Sequence, residues 1–396
     1  KIRTSCERLS LMILSVVIVN FNVKYFLEQC LCSLKKTVDQ SALLFGKTEV
    51  FVVDNASSDG SMAFLQPLYP AFHFIQNQEN SGYAKGNNLA LSRCTGEFVL
   101  FLNPDTVLAE NSLDACVLFL QSHSGAGAVG VRMIDGGGNF LKESMRGFPS
   151  PRASFFKMIG LARTFPRSRC FAAYYAGGLD PHQNHAVEIL SGACMMVRKT
   201  ALDKTGGFDE QFFMYAEDID LSYRIQKAGF QNYYLASACI IHFKGESTRR
   251  DIRYIKQFHT AMNQFTKKHF RGSSDSGMLF FLNLGVAIKQ RLSRIGLSVK
   301  RETGQTVRNK SVFIKGDPRD LPLILIALRK AGIPIAETEP EAGSILFCAG
   351  NQRALGSIIA EIAGSAGKFS SYIHISGTHA IVGSFSGKEK GEVISW

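Results

Sequence analysis

Residues 49–60 read EVFVVDNASSDG, and this stretch decides the fold. Val50 to Val53 form an unbroken apolar, largely β-branched run. It closes on Asp54 and a turn built from Asn, Ser, Asp and Gly. An apolar run without alternation predicts a strand buried on both faces, the pattern of a parallel sheet. Three neighbours repeat the theme: LSVVIVN at 14–20, FHFIQN at 72–77 and FVLFLN at 98–103. Between the first two runs, residues 24–37 set Phe26, Leu27, Leu31 and Leu34 at helical spacing, and a further helix is expected over 83–94. Strands alternating with helices predict an α/β fold, a mainly parallel sheet with helices on both faces. Such sheets bind ligands beyond the carboxyl ends of their strands. The polar residues there are Asn20, Asp54 and Asp105.

Further along, residues 136–187 carry Gly136-Gly137-Gly138 and four prolines and read as loops. Regular structure is expected again over 187–198, in helices near 199–205 and 217–228, and in a strand over 233–242. Residues 311–396 start afresh with short strand and helix signals (SVFIKG, SILFCAG, SYIHIS, AIVGSFS) and predict a small α/β domain of unassigned role. The division expected is an N-terminal extension at 1–12, a main domain at 13–270, a helical linker at 271–310 and the small domain at 311–396.

The chain has 396 residues, 45% hydrophobic and 20% charged. This excludes a disordered, collagen-like or disulfide-scaffold protein. No apolar run of about 20 residues exists to span a bilayer. Residues 1–11 lack the apolar core of a signal peptide, and the nine scattered cysteines read as reduced, buried thiols. Both point to the cytosolic side of the membrane.

The net charge of +12 is local: residues 244–310 hold fifteen Lys/Arg against four Asp/Glu, a net of +11. Within this segment Phe281, Leu284, Ile288, Leu292, Ile295 and Val299 follow helical spacing beside Lys289, Arg291 and Arg294. The expectation is a basic amphipathic helix lying on an anionic membrane surface. No nucleic-acid motif accompanies the charge, so nucleic acid is not expected as a partner.

Several residues can carry chemistry. Asp54, at a strand end before a Ser/Gly turn, suits either a turn or the imide proton of a pyrimidine ring. The run NSGYAKGNN at 80–88 combines Gly82 and Gly86, which allow close backbone approach, with a helix start and Lys85, a setting for phosphate. Asp105, in FLNPDT, suits a hard divalent cation shared with substrate oxygens, with Asn103 as a second oxygen donor. FDEQFFMYAEDIDLSYR at 208–224 carries five carboxylates. Glu217, Asp218 and Asp220 either favour a helix dipole or supply a general base. His242 ends a strand, where it would ligate the cation or contact a diphosphate.

Taken in order, SVVIVNFN, VVDNASSDGS, NSGYAKGNN, FLNPDT, SGACMMVRK, GGFDEQFFMYAEDIDLSYRIQKAGF and IHFKG resemble family 2 glycosyltransferases of the GT-A fold, in their bacterial rhamnosyltransferase-like branch. The resemblance covers residues 13–265. It implies an inverting, metal-dependent sugar transferase working with Mg²⁺ or Mn²⁺. Its donor would be a nucleotide-diphospho-sugar, with dTDP-rhamnose the donor the branch suggests. Its acceptor would be a lipid-linked or polysaccharide hydroxyl in cell-surface glycan synthesis, at the inner face of the membrane. It further implies Asn20, Asp54, Asn80, Gly82, Lys85, Asn88, Asn103 and Gly192 at the donor, and Asp105 with His242 at the metal. Asn103 occupies the first acid position of the family's Asp-x-Asp motif. Asp218 would be the base, with Glu217 the local alternative. The competing expectation is a catalytically silent nucleotide-sugar-binding scaffold.

Overall fold

The computed structural model describes residues 12–150, 153, 156, 159–243, 252–269, 311–316, 319–339, 343–350, 353–384 and 391–396. The expectations for residues 1–11 and for the amphipathic helix at 277–301 lie outside them.

The apolar runs are strands as expected. β1 (Leu14–Asn20), β2 (Thr48–Asp54), β3 (His73–Gln76) and β4 (Phe98–Leu102) pair in parallel in the order β3-β2-β1-β4. Helices α1 (Lys24–Gln40), α2 (Ser61–Leu65) and α3 (Gly82–Leu91) make the crossovers. Every residue of β1 is buried. Its alternate side chains enter two separate cores, Val16 and Ile18 in one, Val17 and Val19 in the other. That double burial, at roughly 1.5–3 kcal/mol for each large apolar side chain, is why these runs are continuously apolar.

Beyond β4 come β5 (Thr106–Leu108), α4 (Ser112–Ser122), β6 (Ala126–Ile134), β7 (His185–Val187), β8 (Cys194–Arg198), α5 (Lys199–Thr205), α6 (Glu217–Lys227) and β9 (Gln231–His242). The sheet continues β4-β8-β6-β9-β5, with β7 on β9. β8 runs antiparallel to both β4 and β6, while β6 and β9 are parallel. Helix α7 (Ile252–His269) follows, buried at Ala261 and Phe265. α4, β6 and α7 carried no sequence expectation.

A second sheet, in the order β10-β11-β12-β13-β14, is built from β10 (Val312–Gly316), β11 (Ser344–Ala349), β12 (Ser370–Ile375), β13 (Ala380–Ser384) and β14 (Glu392–Ser395). Helices α8 (Leu321–Lys330) and α9 (Leu355–Gly364) accompany it. Residues 333–337 add one isolated bridge, Ile335 to Val312. The final strand β14 was not anticipated.

No disulfide joins the described cysteines, and Cys30, Cys94, Cys116, Cys194 and Cys348 are buried. Burial pushes the thiols of Cys30 and Cys116 up to about 12, so they are inert at neutral pH. Cys170 is a correction: it is exposed, because it lies in the open loop region rather than in a core. No helix among the described residues is long and apolar enough to cross a membrane.

Candidate active site

The parallel register sets Asn20 directly opposite Asp54. Both are fully buried. The Asn20 amide donates to Asp54 Oδ1 at 2.7 Å and to Ser57 Oγ at 3.1 Å. Asp54 Oδ2 accepts the Ser57 N–H at 2.9 Å. Asn22, at φ 55°, accepts the Ser58 N–H, and Asp59 Oδ2 accepts the first N–H of α1, that of Lys24. The NASSDG turn is thereby latched to the end of β1. Asn20 Oδ1 is left buried without a partner, a polar atom that normally finds one.

A second group gathers where β4 and β9 end. Asp105 and His242 are 5% and 6% exposed. Asp105 Oδ1 lies 3.2 Å from His242 Nε2, and the Asn103 amide lies 3.4 Å from the same nitrogen. The Phe243 N–H donates to the Asp105 carbonyl at 3.0 Å. His242 Nδ1 is buried with no partner.

The third group surrounds the start of α6. Tyr215 and Ala216 both take left-handed backbone angles, φ 71° and 66°. This arrangement is costly for residues with a Cβ, and it delivers Glu217 and Asp218 to the first turn. Arg146 Nη2 lies 2.6 Å from Asp218 Oδ2, with both side chains largely buried. The same oxygen accepts the Gly192 N–H at 3.1 Å, and Oδ1 accepts the Ile219 N–H at 2.8 Å. A Cβ on Gly192 would sit 3.4 Å from both Asp218 Cβ and Tyr83 Oη. Tyr83 donates to the Gly192 carbonyl at 2.7 Å. Burial, and then the Asp218 charge, push the Glu217 carboxyl up to about 8, and its Oε2 has no partner. Arg146 thus faces Asp218, while burial favours the neutral form of Glu217. The Asn103 N–H donates to the Ala193 carbonyl at 2.9 Å. That bond ties the second group to the Gly192 loop of the third.

Several residues expected at the donor have other work. Asn80 Oδ1 accepts the Gly82 N–H at 3.0 Å and shapes the turn into α3. Gly82, at φ +84°, admits the Phe213 carbonyl, which a Cβ would meet at 2.4 Å. Its demand comes from protein packing. Asn88 staples α3 to the next loop: its amide donates to the Phe208 carbonyl at 2.8 Å and to Glu210, and it accepts the Phe208 N–H. Lys85 is exposed, without an ion pair among the described residues. Asp220 is fully buried between Arg224, Lys268 and His269, clamping α7 to α6. Burial raises its carboxyl, but the Arg224 charge and the hydrogen bonds from Lys268, His269 and Arg224 outweigh that and hold it below the ordinary value of 3.8. Arg146 was missed because it lies in a stretch that reads only as loop; its charge is the sole sequence signal.

A mainly parallel sheet with polar strand ends, an acid–imidazole pair and a neighbouring acid pair is the arrangement expected of the GT-A fold. The sequence profile described as "Glycosyl transferase family 2" matches residues 15–206, and "Glycosyl transferase family 21" matches 171–264. An N-acetylglucosaminyl-diphospho-decaprenol L-rhamnosyltransferase of Mycobacterium tuberculosis is 32% identical over 251 residues, 60% of this chain and 78% of the relative. The rhamnosyltransferase WbbL of Escherichia coli K12 is 26% identical over 179 residues, 42% of this chain and 63% of that protein. Among solved structures, a mannosyltransferase from Pyrobaculum calidifontis, in complex with GDP-Man and Mn²⁺, aligns with TM-score 0.46 at 17% identity, over 83% of this chain and 81% of that one. The chain belongs to family 2 of the glycosyltransferases, in the rhamnosyltransferase-like branch, and is a glycosyltransferase.

Proposed function

We propose that this chain is an inverting transferase that moves a sugar, rhamnose from a dTDP donor being the leading choice, onto a hydroxyl of a lipid-linked or polysaccharide acceptor. The observation that carries this reading is the Asp218 carboxylate. It is held by Arg146 and two backbone N–H groups, one hydrogen-bonded loop away from Asn103, Asp105 and His242. The 32% identical rhamnosyltransferase supports the sugar and the lipid-linked acceptor.

In the reaction proposed, the acceptor hydroxyl gives its proton to Asp218 while its oxygen attacks the anomeric carbon. The bond to the diphosphate breaks on the opposite face, and the electron pair leaves with the diphosphate. A single displacement inverts the anomeric centre. Arg146 and the Gly192 N–H fix the carboxylate, so little reorganisation is required at the moment of transfer. Arg146 faces Asp218 and not Glu217, which favours Asp218 as the base of the pair. Asn20 and Asp54 frame the end of the sheet where the nucleotide would sit, with Lys85 as a cation for its phosphates.

The residues present fit a divalent cation. His242 Nε2 lies 3.2 Å from Asp105 Oδ1, and this pair, with Asn103 beside it, gives the small donor set that Mg²⁺ or Mn²⁺ takes when substrate phosphates complete its shell. When bound, the ion would offset the charge building on the leaving diphosphate. The basic segment at 244–310 supports a workplace at an anionic membrane surface, on the cytoplasmic side.

The test is calorimetric titration of dTDP, UDP and GDP with and without Mn²⁺, in wild type and Asp105→Ala. Metal-dependent binding of one nucleotide, lost in the variant, is expected. Binding indifferent to both metal and variant would refute the assignment of the metal end.

A further inference from the structure

The second sheet has two unlike faces. Leu346, Cys348, Ile381 and Ile394 point into a small core shared with α8. The alternate residues Ile345, Phe347, Ile373, Ile375 and Val382, with Ile359 of α9, point the other way. They join one buried cluster with Val23, Phe26, Val107, Ile134, Ile241 and Phe243 of the transferase sheet and α1. The positions of these partners are informative. Val107 lies two residues beyond Asp105, on the strand that pairs Thr106 with His242 and itself with Ile241. Ile241 and Phe243 flank His242, and strand alternation turns them to the opposite side from it. Phe26 meets Phe243 edge to face, with centroids 5.3 Å apart.

The polar contacts around this cluster are specific. Gln29, fully buried on α1, donates to Thr378 Oγ1 at 2.8 Å and to the Ala380 carbonyl at 2.9 Å, and accepts the Ile375 N–H. Glu28, 1% exposed, takes the His379 N–H and its Nδ1 at 2.6 Å. Glu110 accepts the Leu355 and Gly356 N–H groups at the start of α9, at 2.6 and 2.8 Å, where a carboxylate also meets the helix dipole. The glycine run is the seat. Gly137 accepts the Gly367 N–H, and a Cβ on Gly136 or Gly138 would stand 2.4 Å from the Ser384 carbonyl oxygen or 2.0 Å from that of Ile362. Buried Gln and Glu side chains without these partners would cost free energy, so α1 is built to be covered.

We infer that the C-terminal module is a fixed buttress of the transferase: it bears on the face of the β5–β9 pair opposite His242, the residue that meets Asp105, and so sets the geometry of the cation-and-diphosphate end. Residues 311–396 then serve the reaction by position. The inference rests on the proposed role of Asp105 and His242.

The experiment uses the full chain with Gly138→Ala, Phe347→Ala and the milder Ile359→Val, against Ile324→Ala, which opens the outer core of the same module and touches none of the contacts above. Two quantities are read: amide hydrogen exchange at residues 105–108 and 240–243 in metal-free protein, and Mn²⁺-dependent affinity for the nucleoside diphosphate. The variants on the docked face are expected to speed exchange in both strands and weaken that affinity about five- to tenfold, the range of an ordinary coupling between sites. Ile324→Ala should lower the melting temperature and change neither. Folded docked-face variants with wild-type exchange and affinity would overturn the inference. Equal effects from Ile324→Ala would overturn it as well, since general destabilisation would then suffice. Asp105→Ala separates the two readings. If it keeps metal-dependent binding, the assignment of the metal end fails, and strand exchange alone decides whether the module holds β5 and β9.

Discussion

Replacing Arg146 by Met keeps a long apolar stem and deletes the charge that faces Asp218. The two groups meet at 2.6 Å with side chains 11% and 14% exposed, so water does little to replace the lost partner. Breaking a largely buried ion pair from one side costs about 3–5 kcal/mol. Part of that falls on folding and part on the ionised form of the base. If about 3 kcal/mol falls on the base, the acid limb of the pH–rate profile moves up by about two units. At pH values below both limbs kcat is then about a hundredfold lower than wild type, and the loss fades as pH rises above the displaced limb; the donor's KM changes little, because Arg146 belongs to the base and not to the nucleotide end. The assay is transfer rate against pH from 5 to 9, with circular dichroism confirming the fold. Arg146→Lys, which restores a charge without the fork, should recover part of the rate. A folded Arg146→Met enzyme with a wild-type pH profile would refute the reasoning.

Three further outcomes follow from the same geometry. Glu217 titrates from 4.5 unfolded to about 8 folded, so its contribution to stability is fully present below pH 4.5 and is lost as pH rises through 8; Glu217→Gln should flatten the fall in melting temperature over that window, and an unchanged slope would contradict the buried neutral acid. Asp220 is shifted the other way, so its contribution is present above 3.8 and is lost as pH falls through its folded value; Asp220→Asn should cost about 3 kcal/mol at neutral pH and loosen α7, visible as faster exchange at 261–269. Gly82→Ala places a Cβ 2.4 Å from the Phe213 carbonyl at φ +84°; it should lower stability by at least about 1 kcal/mol and reduce transfer by shifting the loop that leads to Glu217, whereas wild-type stability and rate would show that the contact yields easily.

The strands that form the floor of the site were legible because β1, β2 and β4 are buried on both sides, and that leaves an unbroken apolar run. Their polar ends were legible for the same reason: Asn20, Asp54 and Asp105 stand where such runs stop. The GT-A class followed from the order of these motifs. What the sequence hid were contacts between distant segments. Arg146 reaches Asp218 across 72 positions from a stretch with no periodicity. Asn88 also staples α3 to the 208–210 loop, a contact that nothing local in its sequence announces. Nothing local in the sequence reveals that Glu28 and Gln29 are covered by a segment more than 340 residues away. Gly136-Gly137-Gly138 read as a loop when its need for space comes from the Ile362 and Ser384 carbonyls.

The most direct measurement of the central claim is the anomeric configuration of the product. Full-length protein would be incubated with dTDP-rhamnose, and with UDP- and GDP-sugars in parallel, and a diphospho-lipid-linked N-acetylglucosamine acceptor. The linkage would be read by NMR for wild type and Asp218→Asn. The account predicts transfer from one donor with inversion by wild type, and loss of at least about two orders of magnitude in rate in the variant. A retained anomeric centre, or full activity in Asp218→Asn, would contradict it.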